Sequence, residues 1–157
     1  MTNSFRLIAL PAEQFAPLFR RSDAELESIG ARRMTVHEKP GYPCRVSLAD
    51  GEIGETVLLL PFTHHDVPSP YRAAGPIFIR EGAMTAAPEP DEIPLMFRHR
   101  LLSIRGYDTA AMMISAEVVE GTDLEGTIRR HLADESVSYL HIHNAGPGCY
   151  NCRVVRA

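Results

Sequence analysis

Residues 137–156 read VSYLHIHNAGPGCYNCRVVR, a pattern that predicts a β-hairpin at the end of the chain. The segments Val137–His143 and Cys152–Val155 have the composition of two short strands. Between them, Gly146 and Gly148 give the connecting loop room to turn. We therefore expect the two strands to pair antiparallel across this loop.

The same hairpin contains four side chains of the types that bind metal ions in proteins. His141, His143, Cys149 and Cys152 fall within twelve positions. If His143 lies opposite Cys152, the two histidines and Cys152 share one face of the hairpin, because strand side chains alternate with a period of two. Cys149 would fold over that face from the loop. Imidazole and thiolate are the ligands of tetrahedral Zn²⁺, so this register predicts a zinc site.

Two other interpretations of these side chains stay open. In the first, the histidines hydrogen-bond to the loop backbone and the cysteines are small buried apolar residues, as in a non-catalytic small-molecule-binding or interaction module. In the second, Cys149 and Cys152 form a thiol redox pair of the C-x-x-C type. Such pairs usually begin a helix, whereas this one leads into a strand. The sequence specifies no reaction under any of the three.

Two upstream segments supply ligand-binding candidates. His64 and His65 follow the apolar run Thr56–Leu60, which predicts a central strand, and either histidine could act as a base or as the fourth metal ligand. The alternative is a polar loop at a strand end. Tyr71 and Arg72 lie in a stretch bounded by prolines, where Arg72 is a candidate to hold a small anionic ligand and the alternative is a rigid turn.

The rest of the chain predicts an α+β fold, because its strands and helices show no regular βαβ alternation. We expect a single mixed, largely antiparallel sheet with about three short helices. The predicted helices are residues 13–21, one beginning with a capping box at Ser22, and one beginning with a capping box at Thr122. Cys44–Leu48 and Leu101–Tyr107 are among the predicted strands.

Bulk composition limits the classes of protein to consider. A length of 157 residues, with 45% hydrophobic and 23% charged residues, predicts one globular domain over residues 1–157. A net charge of −4 provides no general attraction to nucleic acid. There is no apolar run of membrane-spanning length and no secretory signal, and the three cysteines are an odd number. We expect a cytoplasmic protein without nucleic-acid or membrane partners and without a cofactor other than the candidate zinc ion. The oligomeric state stays open.

Three segments are similar to a known family. GYPCRVSL (41–48), VLLLPFTHHDVPSPYRAAGPIFIR (57–80) and HIHNAGPGCYNCRV (141–154) resemble domain-of-unknown-function family 1203, a bacterial family of about this length. The resemblance implies a single-domain cytoplasmic bacterial protein. Because the family has no established activity, it implies no catalytic residues.

Overall fold

The computed structural model describes residues 3–157 and arranges eight strands in two antiparallel sheets. The strands are β1 (Phe5–Ile8), β2 (Arg32–Thr35), β3 (Thr56–His65), β4 (Ala73–Arg80), β5 (Leu101–Tyr107), β6 (Met113–Glu120), β7 (Tyr139–Asn144) and β8 (Tyr150–Arg156). The large sheet has the order β1-β8-β7-β5-β6, and the small sheet has the order β2-β3-β4.

The α+β class is confirmed, but the prediction of a single sheet is wrong. Strands β2, β3 and β4 pair only with one another, whereas β1 pairs with β8 from the other end of the chain. The predicted strand Cys44–Leu48 is largely a turn in which Leu48 has a φ of 51°, and Cys44 makes only an isolated parallel bridge to Phe78. The segment that was expected to continue the sheet therefore turns back on itself.

The prediction of about three short helices is too low. Three short α-helices, α1 (Asp23–Ser28), α2 (Leu95–Arg98) and α3 (Leu124–Leu132), are accompanied by 3-10 helices at Ala12–Gln14, Ala16–Arg20 and Gly121–Asp123. Within residues 3–157, none of these helices has the length and apolar character needed to cross a membrane.

One capping-box prediction is confirmed and the other is wrong. The Ser22 hydroxyl accepts from the Glu25 amide at 3.1 Å, and the Glu25 carboxylate accepts from the Ser22 amide at 3.1 Å. By contrast, Thr122 lies inside a 3-10 helix, and α3 begins two residues later without a side-chain cap. In the region 13–21, Pro17 has no amide hydrogen to continue a helix, and two 3-10 helices form instead of one α-helix.

The main hydrophobic core covers one face of the large sheet. Ile142, Cys152 and Val154 of the sheet share this core with Phe97 of α2 and Ile128 of α3. All six residues of β7 are buried, so the opposite face of that strand is covered as well. The end of β3 provides this cover, because its histidine rings contact those of β7.

A buried ion pair joins the turn that precedes β3 to the start of β5. The Asp50 side chain is only 3% exposed and accepts hydrogen bonds from both terminal nitrogens of Arg100, with His99 Nε2 at 3.2 Å. Burial alone raises the pKa of Asp50, but the hydrogen bonds and charge of Arg100 outweigh it, and the net pKa is lowered. The carboxylate is therefore ionised at neutral pH.

We expect Asp50→Asn to lower the free energy of unfolding by about 3–5 kcal/mol at pH 7, because it leaves the Arg100 cation without its counterion. Urea denaturation measures this loss. Asp66→Asn is the matched control, since Asp66 pairs with Arg72 at the surface, where both side chains are about two-thirds exposed. Such an exposed pair contributes less than about 1 kcal/mol. Equal losses in the two variants would contradict the prediction.

Candidate metal centre

Three histidines, one from the small sheet and two from the large sheet, lie close together on the face of the large sheet opposite the main core. His64 is the penultimate residue of β3, and His141 and His143 lie on one face of β7. One ring nitrogen of each lies within 4.8 Å of the other two. The pairing of β3 with β4 is irregular between Phe62 and His65. An irregularity of this kind changes the direction in which a side chain of the strand points.

Each of these rings has a buried nitrogen without a hydrogen-bond partner among the residues that the structure describes. His64 Nδ1, His141 Nδ1 and His143 Nε2 are buried and have no hydrogen-bond partner within residues 3–157. The second nitrogen of His143, Nδ1, donates to the Gly148 carbonyl at 2.9 Å, which leaves the lone pair on Nε2. An unpaired buried polar group costs about 1–3 kcal/mol, so three of them together require an explanation.

The rings are neutral at physiological pH. Loss of solvent on burial lowers the pKa of His141 to about 2, of His143 to about 3 and of His64 to about 4. Mutual repulsion between the histidines and the positive charge of Arg105 contribute to the lowering. A neutral imidazole is the form that binds a metal ion.

His65 has a different role from its neighbour. Its Nδ1 lies 2.8 Å from the Tyr71 carbonyl and its Nε2 lies 2.6 Å from the Tyr139 hydroxyl, so both nitrogens are engaged. It fixes the end of β3 against β7 and is not free to bind a metal. The sequence offered His64 and His65 as equivalent candidates, and the hydrogen bonds distinguish them.

Tyr150 lies opposite His143, the position that the sequence interpretation assigned to Cys152. The hairpin register pairs Ile142 with Cys152 and His143 with Tyr150, with an irregularity between the two pairs. The assumption that His143 lies opposite Cys152 is therefore wrong. The Tyr150 ring stacks on His64 with 5.2 Å between centroids and 8° between planes.

The structure brings neither cysteine of the hairpin to the histidines. Cys152 is fully buried in the main core, and burial raises the pKa of its thiol. Cys149 is partly exposed, and its sulfur accepts a hydrogen bond from the Asn144 side chain at 3.3 Å. Both are free thiols, so the C-x-x-C spacing does not correspond to a sulfur pair.

The positive charge beside the histidines comes from residues that the sequence did not single out. Arg72, the expected anion ligand, already pairs with Asp66 at 3.0 Å, and Tyr71 is partly exposed. Instead, the sheet register places Arg105 and Arg153 on either side of His141. Neither of these arginines has an ion-pair partner within residues 3–157. Only the pairing of distant strands, which sequence patterns do not reveal, identifies them.

A serine–histidine–glutamate chain exists elsewhere but does not have the geometry of a hydrolase triad. Ser115 Oγ lies 2.9 Å from His131 Nδ1, and His131 Nε2 lies 2.9 Å from Glu117. In a serine hydrolase the serine faces Nε2, the reverse of this arrangement. Arg130 also donates twice to Glu117 and neutralises it. These hydrogen bonds hold α3 against β6.

Comparison with known protein families identifies the family to which the chain is similar. A family model described as "Protein of unknown function (DUF1203)" matches residues 41–156, which include all three histidines. Neither the curated proteins nor the solved structures contain a match to the chain.

Proposed function

Because the chain belongs to the DUF1203 family, whose description assigns no activity, we propose its function from the site alone: it binds one transition-metal ion through His64, His141 and His143. A single observation carries the proposal. Three neutral imidazoles bring one ring nitrogen each to within 4.8 Å of one another, and each ring has a buried nitrogen without a hydrogen-bond partner within residues 3–157. A metal ion would bind these nitrogens and offset the cost of burying them.

Zinc is the first ion to test. Zn–N bonds are about 2.0–2.1 Å long, which puts the nitrogens of a tetrahedral site about 3.3 Å apart. From separations of up to 4.8 Å, modest rotation of the three rings would reach that distance. Imidazole also suits copper, nickel and iron, so the donor set limits the metal to this group without selecting one.

A set of three protein ligands is typical of catalytic zinc, because it leaves a fourth position for water or substrate. Zinc lowers the pKa of bound water to about 7 and so supplies a nucleophile for hydrolysis. Arg105 and Arg153, next to His141 in the sheet, would attract an anionic group of the substrate. We therefore extend the proposal to hydrolysis of a small anionic substrate.

Metal content tests the proposal. We expect elemental mass spectrometry of protein purified without chelator or His-tag to find about one zinc per chain, or to find it after incubation with Zn²⁺. His64→Gln, which removes a ligand at the least buried of the three positions, should lose most of that metal.

Two control variants distinguish this site from the alternatives. His37→Gln changes an exposed histidine outside the cluster, and Cys149→Ser removes the thiol that the sequence suggested as a ligand. Both should retain the metal. The proposal fails if wild-type protein takes up no zinc, copper, nickel or iron, or if Cys149→Ser loses the metal while His64→Gln keeps it.

A further inference from the structure

A second site lies on the other side of the loop that connects β7 to β8. A cavity of about 680 Å³ opens there, and none of the three histidines lines it. Leu59, Phe78 and Leu101 provide apolar walls, and Arg45 and Cys149 also line the cavity. Its volume is within the range of small-molecule sites in proteins.

Arg45 is a buried cation without a counterion. The residue is 1% exposed, its Nε donates to the Tyr150 carbonyl at 2.7 Å, and its Nη1 donates to the Pro43 carbonyl. Within residues 3–157, no carboxylate forms an ion pair with it. Burial lowers the pKa of the guanidinium, and the adjacent sulfur of Cys149 offsets part of this effect.

The other charged groups at the cavity neutralise one another. Arg100 and His99 both line it, but both interact with the buried carboxylate of Asp50. The charge that remains uncompensated is that of Arg45. A buried ion without a partner is strongly unfavourable, so an anion that enters the cavity gains an interaction the protein itself does not supply.

We propose that this cavity binds a small organic anion, whose carboxylate or similar oxyanion contacts Arg45 and whose apolar body lies against Leu59, Phe78 and Leu101. A guanidinium offers paired donors that match a carboxylate, which gives both affinity and orientation. The apolar walls select a ligand with a hydrocarbon part over a free inorganic anion. The site is separate from the histidine cluster and does not rest on the proposed metal binding.

Calorimetric titration with octanoate and with octanamide tests the choice of ligand. The two probes share an apolar chain and differ in charge. We expect octanoate to bind roughly 10- to 100-fold more tightly, the range of a charge-assisted hydrogen bond of about 1.5–3 kcal/mol. Equal affinities for the two probes, or no binding of octanoate at millimolar concentration, would overturn the proposal.

A matched pair of variants at Cys149 tests the role of Arg45 without removing the buried arginine. Cys149→Asp introduces a carboxylate beside Arg45 from within the protein, whereas Cys149→Asn introduces a neutral group of the same shape. Cys149→Asp should lose at least about tenfold in octanoate affinity, and Cys149→Asn should stay within about threefold of wild type. Loss in both variants or in neither would contradict the assignment of Arg45 as the anion ligand.

The titration is repeated on metal-free His64→Gln to separate the two sites. Octanoate affinity should be unchanged in this variant, because His64 does not line the cavity. If octanoate binding disappears with His64→Gln, the anion binds at the histidine cluster and the cavity proposal is wrong. If wild-type protein binds octanoate but takes up no metal, the cavity proposal stands and the metal proposal fails.

Discussion

Acidification of the metal-free protein from pH 6.5 to pH 5 is expected to lower its free energy of unfolding by about 3 kcal/mol through His141 and His143 alone. In the folded state the pKa values of these buried side chains are lowered to about 2 and about 3, whereas in the unfolded chain they return to the ordinary value of 6.5. Below pH 6.5 the unfolded state therefore takes up protons that the folded state cannot. Stability is fully present above pH 6.5 and falls by about 1.4 kcal/mol per pH unit for each group.

Urea denaturation of chelator-treated protein at pH 7, 6 and 5 measures this dependence. His141→Gln should reduce the slope against pH by about 1.4 kcal/mol per unit, because it removes one of the two groups. A slope in His141→Gln equal to that of wild type would show that His141 is not the source.

The same lowered pKa values affect metal binding. Protons compete with zinc for an ordinary histidine below pH 6.5, but in this site the three folded pKa values are about 4 or lower. Zinc affinity of the folded protein should therefore be nearly constant between pH 7 and pH 5. Zinc at 100 times its Kd should add about 2.7 kcal/mol of stability and oppose the acid unfolding.

Local patterns in the sequence predicted the local structure well. The strand Leu101–Tyr107 has the predicted bounds, and the capping box at Ser22 forms as expected. The C-terminal hairpin also forms, and the alternation of β7 places His141 and His143 together. Each of these features depends on residues within a few positions of one another, where side-chain periodicity and capping operate.

Features that depend on an irregular register or on pairing between distant segments could not be predicted. The irregularity in the hairpin moves Cys152 into the core and puts Tyr150 beside His143, and no residue pattern marks its position. His64 joins the site only because β3 of the small sheet reaches β7 of the large one. Arg45 lay in a predicted strand and gave no sign that its charge would be buried without a partner.

Among glycine-to-alanine substitutions, we expect the largest loss of stability at Gly121, which begins the 3-10 helix before α3. A Cβ atom there would lie 1.7 Å from the Phe97 carbonyl oxygen and 2.9 Å from that of Arg100. The Gly121 amide also donates to Arg100 at 2.8 Å, which holds the two segments together. Because the clash is with backbone atoms, no side-chain rotation relieves it, and α2 must move away from the start of α3.

We expect Gly121→Ala to lower the free energy of unfolding by about 3 kcal/mol or more, at or above the upper end of the usual range for overpacking in a core. Gly126→Ala provides a control of opposite sign. Gly126 lies inside α3, nothing lies within 4 Å of its Cβ position, and alanine there should stabilise the protein by about 0.5–1 kcal/mol through its helix propensity. Thermal or urea unfolding of both variants measures the difference. If Gly121→Ala is as stable as wild type, α2 and Gly121 are farther apart than the structure places them.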